Sequence, residues 1–421
     1  MLRFAPSPTG DMLISDLRVA LLNYIVAKQR KEEFIVRIED IEKEKNIEGK
    51  DQEILDLLAL FGIEYSQVIY QSENIRFHSA MALQLIHEKK AFSCFCSWEW
   101  IESKRKEAEA LNQEYMYDDA CKDLPAELVI DNLNPFTIRI KKPKQSITVY
   151  DHIKGDLSFD ADSLDSFMIM GQDKTPRYIF ASAIDDLLSD ISLVIRDEKH
   201  IKNTPKQEHI RASLEYNKKL EYAHLPTLAN DLSVKSLLEE GYLPSSISNY
   251  LISMASGTPQ EIFTISDAIE SFDLDKMSDS IVEFDIDTLK KINQKHLFNL
   301  DAKELSRYVG FADEEIGELA RLYLKDVSTT KELREKIEPI FATKEIPKEL
   351  ESEAKQMTQL IQSAPYFDEY KEFKSYILEK LSIDEKRFEK LFSLLLTGSE
   401  NGPDIAEIYT YLKNYIGEII K

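Results

Sequence analysis

Positive charge is scarce in this chain. Its 421 residues carry 53 Lys and Arg against 76 Asp and Glu, a net charge of −23. That balance argues against a protein that coats nucleic acid non-specifically, because phosphate contacts need cations to release counterions; a local basic groove is still compatible with it. Glycine and proline are sparse too, at 12 and 14 residues, which excludes collagen-like and low-complexity chains. Long apolar runs are missing: none approaches the ~18 to 20 residues of a membrane span. The opening MLRFAPSPTG has no basic flank followed by an apolar stretch, so a cytoplasmic protein without membrane contact is expected. Only three cysteines occur, all between positions 94 and 121, an odd and clustered set that suits a reducing compartment better than a secreted disulfide framework. What is present in quantity is 43% hydrophobic and 31% charged residues, the composition of a folded, helix-leaning protein of several packed units.

The order of patterns implies an α/β Rossmann-type domain split by an α+β insertion and followed by an all-α C-terminal region. Leu2 and Phe4 open a short extended run, Pro6 to Gly10 break it, and Leu17, Ala20, Leu21, Tyr24 and Ile25 recur at helical spacing before the strand Phe34 to Ile38. A second helix follows with Ile54, Leu55, Leu58 and Phe61 on one face and Gly62 as its C-terminal cap. From about 76 to 165 the rhythm changes to a charged helical stretch and short strands such as Phe136 to Ile140. It then returns with a helix over Ala181 to Leu188, a strand over Ser192 to Ile195, and a helix starting near Thr204-Pro205, where Thr can cap and Pro can occupy the first turn. After Gly241-Tyr242-Leu243-Pro244 nearly everything reads helical.

The run Arg3-Phe4-Ala5-Pro6-Ser7-Pro8-Thr9-Gly10, then Arg18, then Arg37-Ile38-Glu39-Asp40, resembles the opening of bacterial glutamyl-tRNA synthetases. Asn203-Thr204-Pro205-Lys206-Gln207, Glu240-Gly241-Tyr242-Leu243-Pro244, Asn249-Tyr250-Leu251 and Leu395-Leu396-Thr397-Gly398 with Gly402-Pro403 continue the resemblance over essentially the whole chain. It implies five segments: residues 1–75 and 176–235 as the two halves of the Rossmann domain, 76–175 as an inserted acceptor-stem-type domain, 236–295 as a helical stem-contact region, and 296–421 as an α-helical anticodon-binding-type domain. Glutamate has two carboxylates and one ammonium, so its pocket wants guanidinium forks and an acid. The resemblance places Arg3, Ser7, Glu39, Tyr178 and Arg196 at that site, and all five are present.

Three departures concern ATP. Where the family has His, Ile, Gly and a small or polar residue at the start of the first helix, this chain has Leu13-Ile14-Ser15-Asp16. Leu13 cannot donate a hydrogen bond, Ser15 adds a side chain where close backbone approach is wanted, and Asp16 brings negative charge towards a polyphosphate; Ser15 and Asp16 are also good helix-capping types. The family's mobile lysine-rich loop is missing, since His224-Leu225-Pro226-Thr227-Leu228-Ala229-Asn230-Asp231 runs straight into Leu232-Ser233-Val234-Lys235. Lys276-Met277-Ser278-Asp279-Ser280 looks like that loop but lies too late in the chain to serve as it. Beside the pocket, the family's Arg, Gly, Glu, Asp, His reads Arg196-Asp197-Glu198-Lys199-His200.

Cys94, Cys96 and Cys121 offer three thiolates to a tetrahedral zinc. The spacing resembles the zinc-binding insertion of some family members, which implies Tyr117 or Asp123 as the fourth ligand. The expectation drawn from the whole sequence is a monomeric glutamyl-tRNA synthetase-like paralogue, non-catalytic or strongly impaired. It would keep an L-glutamate pocket and weak, salt-sensitive tRNA binding, with ATP and Mg required only if activity survives. The alternative is a working glutamate–tRNA ligase. A shortened relative that glutamylates a tRNA base is opposed by the full helical C-terminal region.

Overall fold

The computed structural model describes residues 1–256 and 262–420. It divides into two compact units, one built from residues 1–234 and 251–284 and the other from 235–250 and 285–421.

In the first unit, β1 (Leu2–Phe4), α1 (Ile14–Arg30), β2 (Phe34–Ile38), α2 (Lys50–Leu60) and β3 (Val68–Tyr70) form a parallel sheet of order β1-β2-β3 with its crossover helices. Every residue of β1 and β2 is buried, Arg3 and Arg37 included, as expected for a parallel sheet covered on both faces. Gly62 adopts φ +68, and its N–H reaches Ala59 O at 3.0 Å while Ile63 N–H reaches Leu58 O at 2.9 Å, so it closes α2 as expected.

The chain continues through α3 (Ile75–His87), β4 (Ala91–Cys94), α4 (Trp98–Ala110), α5 (Ala126–Ile130), β5 (Thr137–Ile140), β6 (Ile147–Asp151), β7 (Gly155–Phe159), β8 (Met168–Met170), α6 (Tyr178–Leu188), β9 (Leu193–Asp197), α7 (Thr204–Ser213), β10 (Glu221–Leu225) and β11 (Leu228–Ala229). Strands β4-β5-β8 make the antiparallel sheet of the insertion. The hairpin β6-β7, which the sequence reading placed inside the inserted segment 76–175, instead joins the sheet β7-β6-β10-β9, with Tyr222 in register with Asp151. A short apolar strand carries no mark of its partner, and only the tertiary pairing assigns it. The Ser192 N–H bonds Met1 O at 3.0 Å, and Asn23 on α1 donates to Ile195 O at 3.0 Å, bringing the two halves of the Rossmann-type domain together.

After α8 (Val234–Glu239) and α9 (Pro244–Ser256), α10 (Ile265–Ser271) and the two-residue strand β12 (Val282–Glu283) return to the first unit. Strand β12 pairs parallel with β11, and Gln29 Nε2 donates to Ile269 O and Phe272 O at 3.0 and 2.7 Å. The segment read from sequence as one helical region, 236–295, is thus shared between the units.

The second unit is helical. It is led by α11 (Ile286–Asn299), α12 (Ala302–Tyr308) and α13 (Glu314–Arg321), and its core includes Leu305, Leu319, Leu333, Ile337, Phe388 and Phe392. Helices α12 and α13 pack through Gly317, where a Cβ would lie 1.7 Å from Ala302 O. Gly317→Ala must push the two backbones apart, and overpacking of this kind costs about 1 to 3 kcal/mol, occasionally more. Thermal unfolding should show a clear fall in Tm; an unchanged Tm would refute this account of the helix pair.

Candidate functional site

Strand ends β1 and β2 carry Arg3 and Arg37 into the interior, where both meet one carboxylate on α6. Arg3 Nε donates to Asp186 Oδ1 at 3.0 Å and Arg37 Nη1 donates to the same oxygen at 2.5 Å. Arg37 Nη2 also reaches Ser182 Oγ at 3.1 Å and Glu39 Oε1 at 3.3 Å. The interior favours a neutral Asp186, but the two guanidinium groups overcome that and hold its pKa at about 2. Glu39 moves the other way. Burial raises its pKa, and Arg37 and Arg3 only partly offset this.

Glu39 and Tyr178 line two adjoining clefts with Ser7 and Thr9. One, of about 250 Å³, adds Gln71 and Lys45; the other, of about 380 Å³, adds Asp16, Lys199 and His200. Loss of water around Tyr178 and the nearby Glu39 carboxylate push its phenol up to about 12. His200, whose ring centre lies 6.0 Å from that of Tyr178, is pushed down to about 4 by burial and by Arg196, so it is neutral at physiological pH. The structure thus brings Ser7, Glu39 and Tyr178 to one concavity. It sets Arg3 in an ion pair behind them and Arg196 in a buried cradle formed by Thr204, Gln207 and His224.

Several of these partners carried no role in the sequence reading. Arg37 and Asp186 escaped it, although an Asp185-Asp186 pair inside the apolar helix α6 is itself a signal of buried charge. Gln71 was missed because no local pattern marks it. Thr204 was expected to cap α7. The cap position is Asn203, and the Thr204 hydroxyl turns to Arg196 Nη2 at 2.7 Å instead.

At the other end of the second cleft is the N-terminus of α1. Ser15 N–H donates to Asp231 Oδ1 at 3.1 Å and Ser15 Oγ to Asp231 Oδ2 at 2.5 Å. The cap position of α1 is Leu13 rather than Ser15 or Asp16; Asp16, the third helical residue, accepts the Leu13 N–H on Oδ2 at 3.1 Å, and Ile14 N–H goes to Leu232 O at 2.9 Å. Val234 N–H completes the contact at Met12 O, 2.9 Å, and Leu13 bridges Ser233 antiparallel. Burial raises the pKa of Asp16, with Asp231 and Asp197 adding to the effect and Lys199 opposing it. The role of Asp231 is not visible from its own sequence neighbourhood. Lys276 is not part of this site; its Nζ pairs with Asp273 at 2.9 Å.

In the insertion, the sulfurs of Cys94, Cys96 and Cys121 lie within 4.8 Å of one another. The Tyr117 hydroxyl is 3.4 Å from Cys94 Sγ and 3.5 Å from Cys96 Sγ, and it accepts the Cys121 N–H at 3.1 Å. Burial opposes ionisation of Cys94, yet its contact with Tyr117 and the nearby Arg139 bring its pKa to about 7. The three sulfurs are close enough together to hold a metal ion, with the Tyr117 hydroxyl beside them. Asp123 is exposed and is not among the clustered groups.

The catalytic-domain model for class I tRNA synthetases of the glutamate and glutamine type matches residues 1–291. The chain is 59% identical to glutamate–tRNA ligase 2 of Sulfurimonas denitrificans and 45% identical to glutamate–tRNA ligase 1 of Campylobacter jejuni strain 81-176, in each case over 100% of both chains. These alignments run over 432 positions, more than the 421 residues of this chain, so the relatives carry residues that it lacks. The structure of a glutamate tRNA ligase from Elizabethkingia meningosepticum in complex with its amino acid shares the fold, with a TM-score of 0.82 at 22% identity, covering 99% of this chain and 97% of that one. Among the described residues no helix is long and apolar enough to cross a membrane.

Proposed function

The chain belongs to the class I glutamyl- and glutaminyl-tRNA synthetase family, and from that premise we propose that it keeps the family's amino-acid end while its nucleotide end is closed, making it a glutamate- and tRNA-binding paralogue with little or no ligase activity. The observation that carries this reading is the N-terminus of α1. A helix start presents unpaired N–H groups and a positive dipole end to an anion. Here the N–H groups of Leu13, Ile14 and Ser15 are all spent within the chain, two of them on the carboxylates of Asp16 and Asp231. A polyphosphate brought to that point would have to displace those bonds and would meet two negative charges.

The shortened connection after β11 supports the same reading. In the family resemblance, lysines in that connection stabilise charge developing on the leaving pyrophosphate, a contribution made mainly in the transition state. Here the connection is Asn230-Asp231-Leu232-Ser233, with no lysine, and it is held against α1. ATP and Mg would act at this end when bound; the chain's own groups there are Asp16, Lys199 and His200. The observation on the side of a working ligase is the 59% identity to a protein of that name, together with the intact Arg3, Glu39, Tyr178 and Arg196 set.

Glutamate-dependent ATP–pyrophosphate exchange, with and without total tRNA, separates the two. Background exchange in protein that binds glutamate or tRNA is expected; exchange clearly above background would establish the ligase. The insertion is read as a zinc module held by Cys94, Cys96, Cys121 and Tyr117. Metal analysis should find one zinc per chain in the wild type and loss of it in Cys96→Ser, and a wild type free of metal would reject the module.

A further inference from the structure

Arg3, Arg37 and Arg196 are all buried guanidinium groups, yet they are compensated in opposite ways. Arg3 and Arg37 share the Asp186 carboxylate. Arg196 is 6% exposed, and its three nitrogens donate to neutral acceptors: Nε to His224 Nε2 at 3.1 Å, Nη1 to Gln207 Oε1 at 2.8 Å, and Nη2 to Thr204 Oγ1 at 2.7 Å. Among the described residues it makes no ion pair. Burying a cation without an anion is costly, so an arrangement that orients Arg196 while leaving its charge unmatched fits a group kept for an incoming anion.

The orientation depends on which nitrogen of His224 carries the proton. Arg196 Nε–H points at Nε2, so Nε2 must offer its lone pair, and the proton must be on Nδ1. Asp151 enforces this. Its Oδ2 is 2.6 Å from His224 Nδ1 and also accepts the His224 backbone N–H at 3.1 Å, while Oδ1 accepts the N–H groups of Ile153 and Lys154, both at 2.9 Å. Asp151 and the His224 side chain are fully buried. Tyr222 stacks on the His224 ring at 5.7 Å and 8° and is anchored by its hydroxyl to Glu208 at 2.7 Å. The Thr204 hydroxyl, which accepts from Arg196, lies 3.0 Å from Nε2 and can give that nitrogen its own proton. The amide Nε2 of Gln207, itself 3% exposed, has no partner among the described residues, a further unspent donor beside the guanidinium.

We propose that Asp151 and His224 form a positioning pair for Arg196, locking the histidine with its proton on Nδ1 so that Arg196 is aimed by neutral acceptors and its full charge is left for a carboxylate of the ligand. The ligand assignment rests on the glutamate-pocket reading above; the tautomer does not. In Asp151→Asn the oxygen stays with the Ile153 and Lys154 N–H groups, so the amide NH2 faces Nδ1 and donates to it, giving up the bond from the His224 backbone N–H. That moves the imidazole proton to Nε2, against the Arg196 N–H. Gln207→Glu leaves the tautomer alone and neutralises Arg196 with a carboxylate of matching length.

The test uses the full-length protein labelled with 15N-histidine, with His224 assigned by its loss in His224→Gln, together with calorimetric titration of L-glutamate. Wild type should show a protonated Nδ1 and an unprotonated Nε2 at His224. Asp151→Asn should reverse the two, and both Asp151→Asn and Gln207→Glu should weaken glutamate by about 10- to 100-fold. His224→Gln, whose amide oxygen can accept near the position of Nε2, should bind glutamate within about threefold of wild type. A wild-type His224 protonated on Nε2 overturns the pairing even if Asp151→Asn does not fold. Unchanged glutamate affinity in folded Asp151→Asn and Gln207→Glu overturns the role given to Arg196. A wild type that binds no glutamate sinks the amino-acid reading, and the nitrogen spectrum then still decides the positioning pair.

Discussion

Arg37→Leu is expected to destabilise the first unit by about 3 to 5 kcal/mol, the range for breaking a buried ion pair by removing one partner. Arg37 is 0% exposed and reaches Asp186, Glu39 and Ser182 at once. Leucine fills much of the space but leaves Asp186 with Arg3 alone and Glu39 with no cation at hydrogen-bond distance, in an interior that cannot hydrate either. Arg37→Lys should fall between wild type and leucine, because one ammonium cannot serve three acceptors spread around a planar fork. Urea unfolding followed by a probe in this unit measures the loss, and a midpoint equal to wild type would refute the network's role. A pH series gives a second readout. Asp186 is depressed from 3.8 to about 2, so its stabilisation is fully present above pH ~3.8 and is lost as pH falls towards 2. Without Arg37 the folded pKa rises towards its ordinary value and that acid limb shrinks. Glutamate affinity should fall in the same variants, since Glu39 lines the clefts and Arg37 holds it.

The paired substitution Asp16→Asn with Asp231→Asn should raise the affinity for ATP with Mg by about 10- to 100-fold while leaving pyrophosphate exchange at background. Two unit charges 4 Å apart interact by about 4 kcal/mol at the effective dielectric of a protein surface, so removing two carboxylates from the start of α1 is a large change for a polyanion even after salt screening. The amides keep an acceptor for Leu13 N–H and Ser15 N–H, and the fold should survive. Chemistry should not return, because the connection Asn230 to Ser233 carries no lysine to meet the leaving group and each missing transition-state donor costs about 10² to 10³ in rate. Calorimetry of nucleotide binding alongside the exchange assay checks both halves. Equal ATP affinity in wild type and variant would show that the two aspartates do not close the site.

Much of the first unit was legible because its signals are local. The βαβ opening, the Gly62 cap and the helix α6 follow from apolar spacing and turn residues. Legibility stopped wherever a residue's partner lies far along the chain. The hairpin β6-β7 reads as two short strands, and nothing in residues 147–159 names β10 as its neighbour. In the site, Ser7, Glu39 and Tyr178 were picked out by the family resemblance, and the structure brings them to the same concavity. Arg3 and Arg196 carried the same signal but sit behind it, one paired with Asp186 and the other cradled by Thr204, Gln207 and His224.

By itself the sequence determined the family, the class of fold, the residues Leu13 to Asp16 at the start of α1, the short connection after β11 and the clustered cysteines, because each is a matter of residue type and order. Tertiary structure alone decided what surrounds those residues. It brought Asp231 across 216 positions to the Ser15 amide, gave Arg37 and Arg3 a common anion 149 and 183 positions away, and left Arg196 among neutral groups. The physical reason is that the state of a charge is set by its solvation and by whatever lies within a few ångströms of it. A linear sequence does not contain those distances; they exist only once strands and helices have packed.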